Sequence, residues 1–186
     1  MKRAFLFFTV LTLCLSCAVS TNAARMVQTF STEYYQILIP GDWVIDTSSR
    51  KDLYGSLDLG FMYSPDKTKL IEAKMNFYGE WAQVSLWSGS EALWQEYVAF
   101  LMNDLKDEEP KLLAKFSAGQ YPGALIKGTN SYGSYLYGEI MINAYSYGFY
   151  FYLLNEDDSV NSNLTQEEVE LFQSILETFT PVSGTK

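Results

Sequence analysis

The stretch that most constrains this chain runs from Ser134 to Asn155, SYLYGEIMINAYSYGFYFYLLN, two alternating runs that read as a β-hairpin joined at Tyr145-Ser146-Tyr147-Gly148. In a strand successive side chains point to opposite faces, so Leu136, Gly138, Ile140, Ile142 and Ala144 form one row and Tyr135, Tyr137, Glu139, Met141, Asn143 and Tyr145 the other. In the second run Phe149, Phe151 and Leu153 oppose Tyr150, Tyr152 and Leu154. One face is core; its reverse is rich in tyrosine. Such a hairpin demands a sheet with an apolar layer against one side. Tyr135, Tyr137, Tyr145, Tyr150 and Tyr152 form a candidate binding surface, edged by Tyr132 and Tyr147, because tyrosine buries area at small entropic cost. The alternative is that a helix covers this face too and the rings are half-buried packing.

The N-terminus carries a targeting pattern. Lys2 and Arg3 precede the apolar run Ala4 to Leu15, and small residues follow to Ala24, as in a secretory signal peptide over residues 1–24. The apolar run is shorter than the roughly 20 residues a spanning helix needs. Cleavage after Ser20 satisfies the small-x-small rule and cleavage after Ala23 or Ala24 does so nearly as well; residues 25–186 read as a single domain. Leu15-Ser16-Cys17 also offers a lipobox in which Cys17 becomes a lipidated first residue, although Cys14 stands where leucine is usual. The expected location is periplasmic or extracellular, soluble or tethered at its end.

Both cysteines lie in this leader and the chain has no histidine. The processed chain therefore lacks thiol nucleophiles, Ser-His-Asp triads and Cys/His metal sites. Loss of Lys2 and Arg3 moves the net charge from −9 to −11. Such a surface repels nucleic acid and anionic lipid. The expected partner is another envelope or secreted protein, with membrane contact only through the leader or a lipid anchor.

Along the chain, Tyr35, Ile37 and Ile39 alternate before the turn pair Pro40-Gly41, and a short strand opens at Trp43. Leu57, Leu59, Phe61 and Tyr63 alternate with Ser56, Asp58, Gly60 and Met62; after the turn Ser64-Pro65-Asp66-Lys67, Ile71, Ala73, Met75 and Phe77 do the same. Trp81 and Trp87 precede the capping box Ser88-Gly89-Ser90-Glu91, which opens a helix with Leu93, Trp94, Tyr97, Val98, Leu101 and Leu105 on its buried face. Strands follow at Lys111 to Ser117 and Tyr121 to Thr129, then the hairpin. A second capping box, Thr165-Gln166-Glu167-Glu168, opens a final helix with Val169, Phe172, Ile175, Leu176 and Phe179 inward. The fold class is α+β: one antiparallel sheet of about six strands packed with a long mid-chain helix and a C-terminal helix.

Two chemical readings accompany this. Asp157 to Glu168 spaces Asp157, Ser159, Asn161, Asn163 and Glu168 as calcium-loop ligands, but Ser162 stands where glycine makes the sharp turn and only two carboxylates are in ligand positions. Glu168 is equally suited to capping the helix. No cofactor is otherwise implied. Trp81, Trp87 and Trp94 offer an apolar pocket between sheet and helix for a small ligand. No pair of carboxylates stands at a spacing that argues an enzyme.

Tyr35-x-Ile37-x-Ile39-Pro40-x-x-Trp43, the long mid-chain helix, Gln120-Tyr121-Pro122-Gly123, the aromatic strand Phe149 to Leu154 and the ending Phe179-Thr180-Pro181 together resemble the PsbP-like superfamily over about Phe30 to Val182. With the signal peptide and Cys17, the chain looks most like its bacterial DcrB-like branch. The resemblance implies a sheet sandwiched between helices and a non-enzymatic role in binding, chaperoning or assembly through the aromatic sheet surface. Fold alone assigns none of these, because the superfamily's roles differ.

Overall fold

The computed structural model describes residues 26–47, 57–77, 91–142 and 145–182. Its strands are β1 (Met26–Ser31), β2 (Tyr35–Pro40), β3 (Val44–Asp46), β4 (Leu57–Tyr63), β5 (Lys69–Phe77), β6 (Lys111–Ala118), β7 (Tyr121–Asn130), β8 (Gly133–Ile142), β9 (Tyr145–Leu153) and β10 (Thr180–Pro181). Its helices are α1 (Glu91–Asp104), followed by a 3₁₀ turn at Lys106–Glu108, and α2 (Gln166–Leu176). Among the described residues no helix is long and apolar enough to cross a membrane.

The α+β class holds, but the sheet is not single. Seven strands run in the order β3-β4-β5-β9-β8-β7-β6, and three more form a separate sheet β1-β2-β10. Every pairing is antiparallel. Strands β2 and β3 flank the Pro40-Gly41 turn yet belong to different sheets. A turn fixes chain direction, not the partner of the next strand, so the local signal was compatible with either arrangement. Between β5 and β6, α1 carries the chain to the far edge, from which β6 to β9 meander back to pair with β5.

One face of the large sheet holds the main core. Leu136, Ile140, Phe149 and Phe151 meet Phe30, Ile37 and Ile39 of the small sheet and Phe172, Ile175 and Leu176 of α2, all essentially inaccessible. Tyr35 is clamped there by rings of Phe179, Tyr147 and Phe149 at centroid separations of 4.9, 5.3 and 5.5 Å. Helix α2 approaches so closely that a Cβ on Gly138 would collide with a methyl of Leu176. Its start is fixed as the spacing predicts: the Glu168 carboxylate accepts from the Thr165 N–H at 3.0 Å and from the Thr165 hydroxyl, closing the capping box.

On the opposite face α1 lays Trp94, Tyr97, Val98, Leu101 and Leu105 against Ala124, Ile126, Tyr135, Tyr137 and Met141. The side chain of Leu93 and the residues of the first capping box before Glu91 lie outside the described residues. Lys115 of β6 fastens the helix start, bonding Glu91 at 2.5 Å and lying 5.7 Å from the centre of the Trp94 ring.

Strand β4 departs from simple alternation. A bulge falls between Asp58 and Gly60, where Gly60 takes φ +147°. The extra residue reverses the rows beyond it, so Leu59 and Met62 are buried while Phe61 and Tyr63 turn to the outer face with Asp58.

Candidate functional site

The site grows from the β8–β9 register. Ile142 pairs with Tyr145, Ile140 with Tyr147, Gly138 with Phe149 and Leu136 with Phe151. Paired residues share a face. Tyr145 and Tyr147 therefore stand on the main-core face. Strand β9 begins at Tyr145, so the junction is earlier than the predicted Tyr145 to Gly148, and Tyr145 leaves the tyrosine row it was expected to join.

The remaining row is a ladder of contacts. Tyr137 and Tyr150 are 4.6 Å apart by ring centroids, Tyr135 and Tyr150 5.5 Å, Tyr135 and Tyr152 6.0 Å, and the rings of Tyr150 and Tyr152 lie nearly parallel at 6.2 Å. Helix α1 covers one end of this ladder. Tyr135 and Tyr137 are buried, whereas Tyr150 and Tyr152 are only partly buried. Tyr135 donates to Glu108 of the 3₁₀ turn at 2.5 Å. Burial and that carboxylate push its phenol well up. Burial, with Tyr135 and Tyr152 alongside, does the same to Tyr150. These phenols stay protonated and serve as donors at any ordinary pH.

Beneath α1 lies a carboxyl that the alternation placed on this face without assigning it a role. Glu139 is fully buried. The Tyr97 hydroxyl of α1 donates to one carboxyl oxygen at 2.5 Å and the Tyr137 hydroxyl to the other. The Ser146 side chain faces it from β9, and Asn76 donates to Ser146 at 3.4 Å. Burial raises the Glu139 carboxyl above the ordinary range, against the pull of these three hydroxyls. Gly148, paired with Glu139, leaves the room this needs: a Cβ there would stand 2.8 Å from the Tyr137 hydroxyl.

Beyond α1 the same face continues over β9, β5, β4 and β3. The ladders bring Tyr150 and Tyr152 beside Glu72 and Leu70, these beside Phe61 and Tyr63, and these beside Asp46 and Val44. Phe61 and Tyr63 stack at 6.5 Å. Tyr63, Leu70, Tyr150 and Tyr152 are partly buried and Val44 is 59% exposed. Lys74 sits in the strip, 3.2 Å from Glu72, 3.9 Å from Asp58 and 5.5 Å from the Tyr150 ring centre. Partial burial and then Asp46, Asp158 and Glu72 raise the Tyr63 phenol, which marks the acidic character of the surroundings. This half of the face was not identified from the sequence. The φ-positive glycine bulge at Gly60 was its signal, since it swings Phe61 and Tyr63 outward.

The other sequence candidates fall elsewhere. Trp94 is buried on the inner face of α1, packed in the core against the sheet, and Trp81, Trp87 and Cys17 lie outside the described residues. In the polar loop, Asp157 accepts from the Ser159 N–H at 3.1 Å and its hydroxyl at 2.5 Å, and Asn161 accepts from the Asn163 N–H at 3.0 Å. Glu168 is engaged in the helix cap. Among the described residues no group of three or more acidic, histidine or cysteine side chains is clustered to hold a metal. The loop's oxygens answer its own backbone and hydroxyls.

No family model matches the sequence, and no curated protein matches it. Among solved structures the chain is similar to cyanobacterial PsbP (CyanoP) from Synechocystis sp. PCC 6803, with TM-score 0.48 and 9% identity over 88% of this chain and 99% of that one. It is similar also to a protein from Bacteroides thetaiotaomicron VPI-5482, with TM-score 0.45 and 15% identity over 87% of this chain and half, 50%, of that one. At these scores both are distant likenesses of shape, and nothing about function is taken from them.

Proposed function

We propose that this chain is a non-enzymatic extracytoplasmic binding or assembly protein of the PsbP-like kind, exported by its N-terminal leader, that docks another protein on the open half of its tyrosine face. The observation that supports this reading is the partly buried strip Tyr150, Tyr152, Leu70, Phe61 and Tyr63, with the exposed Val44 at its edge, continuous with rings held rigid under α1. Aromatic rings fixed by packing on one side bind at low entropic cost on the other. Asp46, Asp58 and Glu72 in the same strip, and the strongly acidic chain as a whole, favour a partner segment that sets lysine or arginine among apolar residues.

The test is site-specific photocrosslinking in the native envelope. A benzophenone amino acid replaces Tyr152 or Tyr63, and a control carries it at Tyr132, which is 79% exposed in the β7–β8 turn and off this face. Adducts of one discrete mass from the face positions, absent from Tyr132 and weakened by salt, are expected. Equal adducts from Tyr132, or none from the face, overturn the reading. A small-molecule adduct in the native mass spectrum without a protein adduct instead supports a carrier of an apolar ligand, with Trp94 and the preceding Trp81 and Trp87 as its candidate lining.

A further inference from the structure

Glu139 has no part in the binding strip, and a fully buried carboxyl is costly unless it remains protonated or is well supplied with donors. Its position makes it a joint between layers. Tyr97 reaches it from α1, Tyr137 from its own strand and Ser146 from β9, so one carboxyl ties the helix to two strands of the sheet. We propose that α1 is a pH-sensitive cover, held on the tyrosine face while Glu139 keeps its proton and loosened as the pH rises above the range in which an exposed glutamate ionises.

The groups around Glu139 support that direction. From α1 come the Tyr97 phenol and, at longer range, Asp104; from β8 comes Tyr137; from β9 come Ser146 and the Tyr150 phenol. Strand β7 contributes Ala124, which is paired with Glu139 and carries no charge; β5 contributes Asn76 through Ser146 and, in register across Gly148, Lys74, which is held by Glu72 and Asp58; and the 3₁₀ turn contributes Glu108 through Tyr135. The acids Asp104 and Glu108 add to the cost of a further negative charge, and Lys74, the cation on this row, is already held between Glu72 and Asp58.

The sign follows from linkage. With α1 lifted, Glu139 meets water and titrates in the ordinary glutamate range. With α1 seated, burial keeps the proton to higher pH, and the protonated oxygen then donates to its phenol oxygen where the ionised carboxylate accepts from it. Closure is thus fully favoured below the ordinary glutamate range and is lost as pH rises through the raised value, by up to about tenfold in the opening constant for each unit between the two. Above the raised value the effect levels off. Opening would uncover Tyr135, Tyr137 and Met141, the rest of the tyrosine face.

Hydrogen exchange of the full processed chain, read by mass spectrometry from pH 4 to 8 and corrected for intrinsic rates, tests this without any partner. Peptides of α1 are compared with peptides of α2, which packs on the opposite face and has no bond to Glu139. The ratio of α1 to α2 exchange is expected to rise with pH, and Glu139→Gln, a neutral mimic of the protonated acid, is expected to flatten it. A ratio independent of pH, or α2 accelerating in step with α1, overturns the proposal; the second result would mean that Glu139 acts on global stability alone. The wild-type ratio decides the matter even if the glutamine variant fails to fold, and a failure of the crosslinking test leaves this result intact.

Discussion

Replacing Tyr137 and Tyr152 one at a time separates the packing end of the tyrosine ladder from its open end. Tyr137 is 3% exposed, touches Tyr150 at 4.6 Å and donates to Glu139. Truncating a buried aromatic to alanine costs about 3–5 kcal/mol. Leaving a buried acceptor short of a partner costs about 1–3 kcal/mol more. Tyr137→Ala should therefore lose at least about 4 kcal/mol, a large part of the roughly 5–15 kcal/mol by which domains are stable. For a domain of this size that lowers Tm by roughly 8–16 °C, taking about 2–4 °C per kcal/mol. Tyr152 is only partly buried at the open end of the ladder, so Tyr152→Ala should cost only about 1–2 kcal/mol while abolishing the photoadducts of the face. Guanidinium unfolding followed by far-UV circular dichroism measures both. Equal losses would refute the division of the face, because a ladder covered throughout would respond alike at either end. Tyr137→Phe, which keeps the ring, should recover most of the loss and leave about 1 kcal/mol, the usual net worth of one hydrogen bond.

Further expectations rest on single contacts. Gly138→Ala should destabilise by about 1–3 kcal/mol through overpacking against Leu176; combined with Leu176→Ala, the double variant should lose clearly less than the sum of the singles in urea unfolding, and strict additivity would mean that α2 does not rest on Gly138. Thr165→Ala should cost about 1 kcal/mol by opening the α2 cap, read as a lower unfolding midpoint. Millimolar calcium should leave the thermal midpoint unmoved, because Asp157 and Glu168 are bonded to Ser159 and Thr165; a calcium-dependent rise would show the loop rearranging around the ion. Asp66, whose carboxyl is held down to about 2 by Ser64 and then Thr68, contributes stability at neutral pH that should disappear as pH falls from the ordinary aspartate range toward about 2. Asp66→Asn should flatten that part of the acid-unfolding curve, by a small amount given its exposure.

What could be read from the sequence was whatever a single element dictates. The three-and-four spacing of Phe172, Ile175 and Leu176 fixed the inner face of α2, and Thr165 with Glu168 fixed its start. Strand β5 kept its alternation and delivered Ile71 and Ala73 to the core. Errors arose where one residue resets a phase. The hairpin junction lies before Tyr145 instead of across Tyr145 to Gly148, which sends Tyr145 to the other face, and the bulge at Gly60 turns Phe61 and Tyr63 outward. A period of two carries no memory of an inserted residue, so each such shift inverts all that follows. The separate sheet β1-β2-β10 depends on a pairing between the two ends of the described chain, Thr180 with Gln36, which no local pattern encodes.

The tyrosine row shows why the candidate site was half legible. Tyr135, Tyr137, Tyr150 and Tyr152 were correctly placed on one face, because alternation decides faces. Their exposure depends on where α1 lies, and α1 is positioned by the Lys115–Glu91 bond and by the Tyr97 hydroxyl reaching Glu139 across 42 residues of sequence. The same contact makes the boundary between covered and open tyrosines conditional on one proton. Glu139 stood in the tyrosine row of the sequence as an ordinary polar residue on a strand. Buried beneath a helix and flanked by two phenols and a serine, it becomes, on the proposal above, the group through which the amount of open aromatic surface responds to pH. If the strip over Tyr150 and Tyr63 binds a partner and α1 lifts at higher pH, affinity for that partner should rise with pH in the wild type and lose that dependence in Glu139→Gln. A pH-independent affinity alongside a pH-dependent α1 exchange ratio would show that the partner uses only the half of the face that α1 never covers.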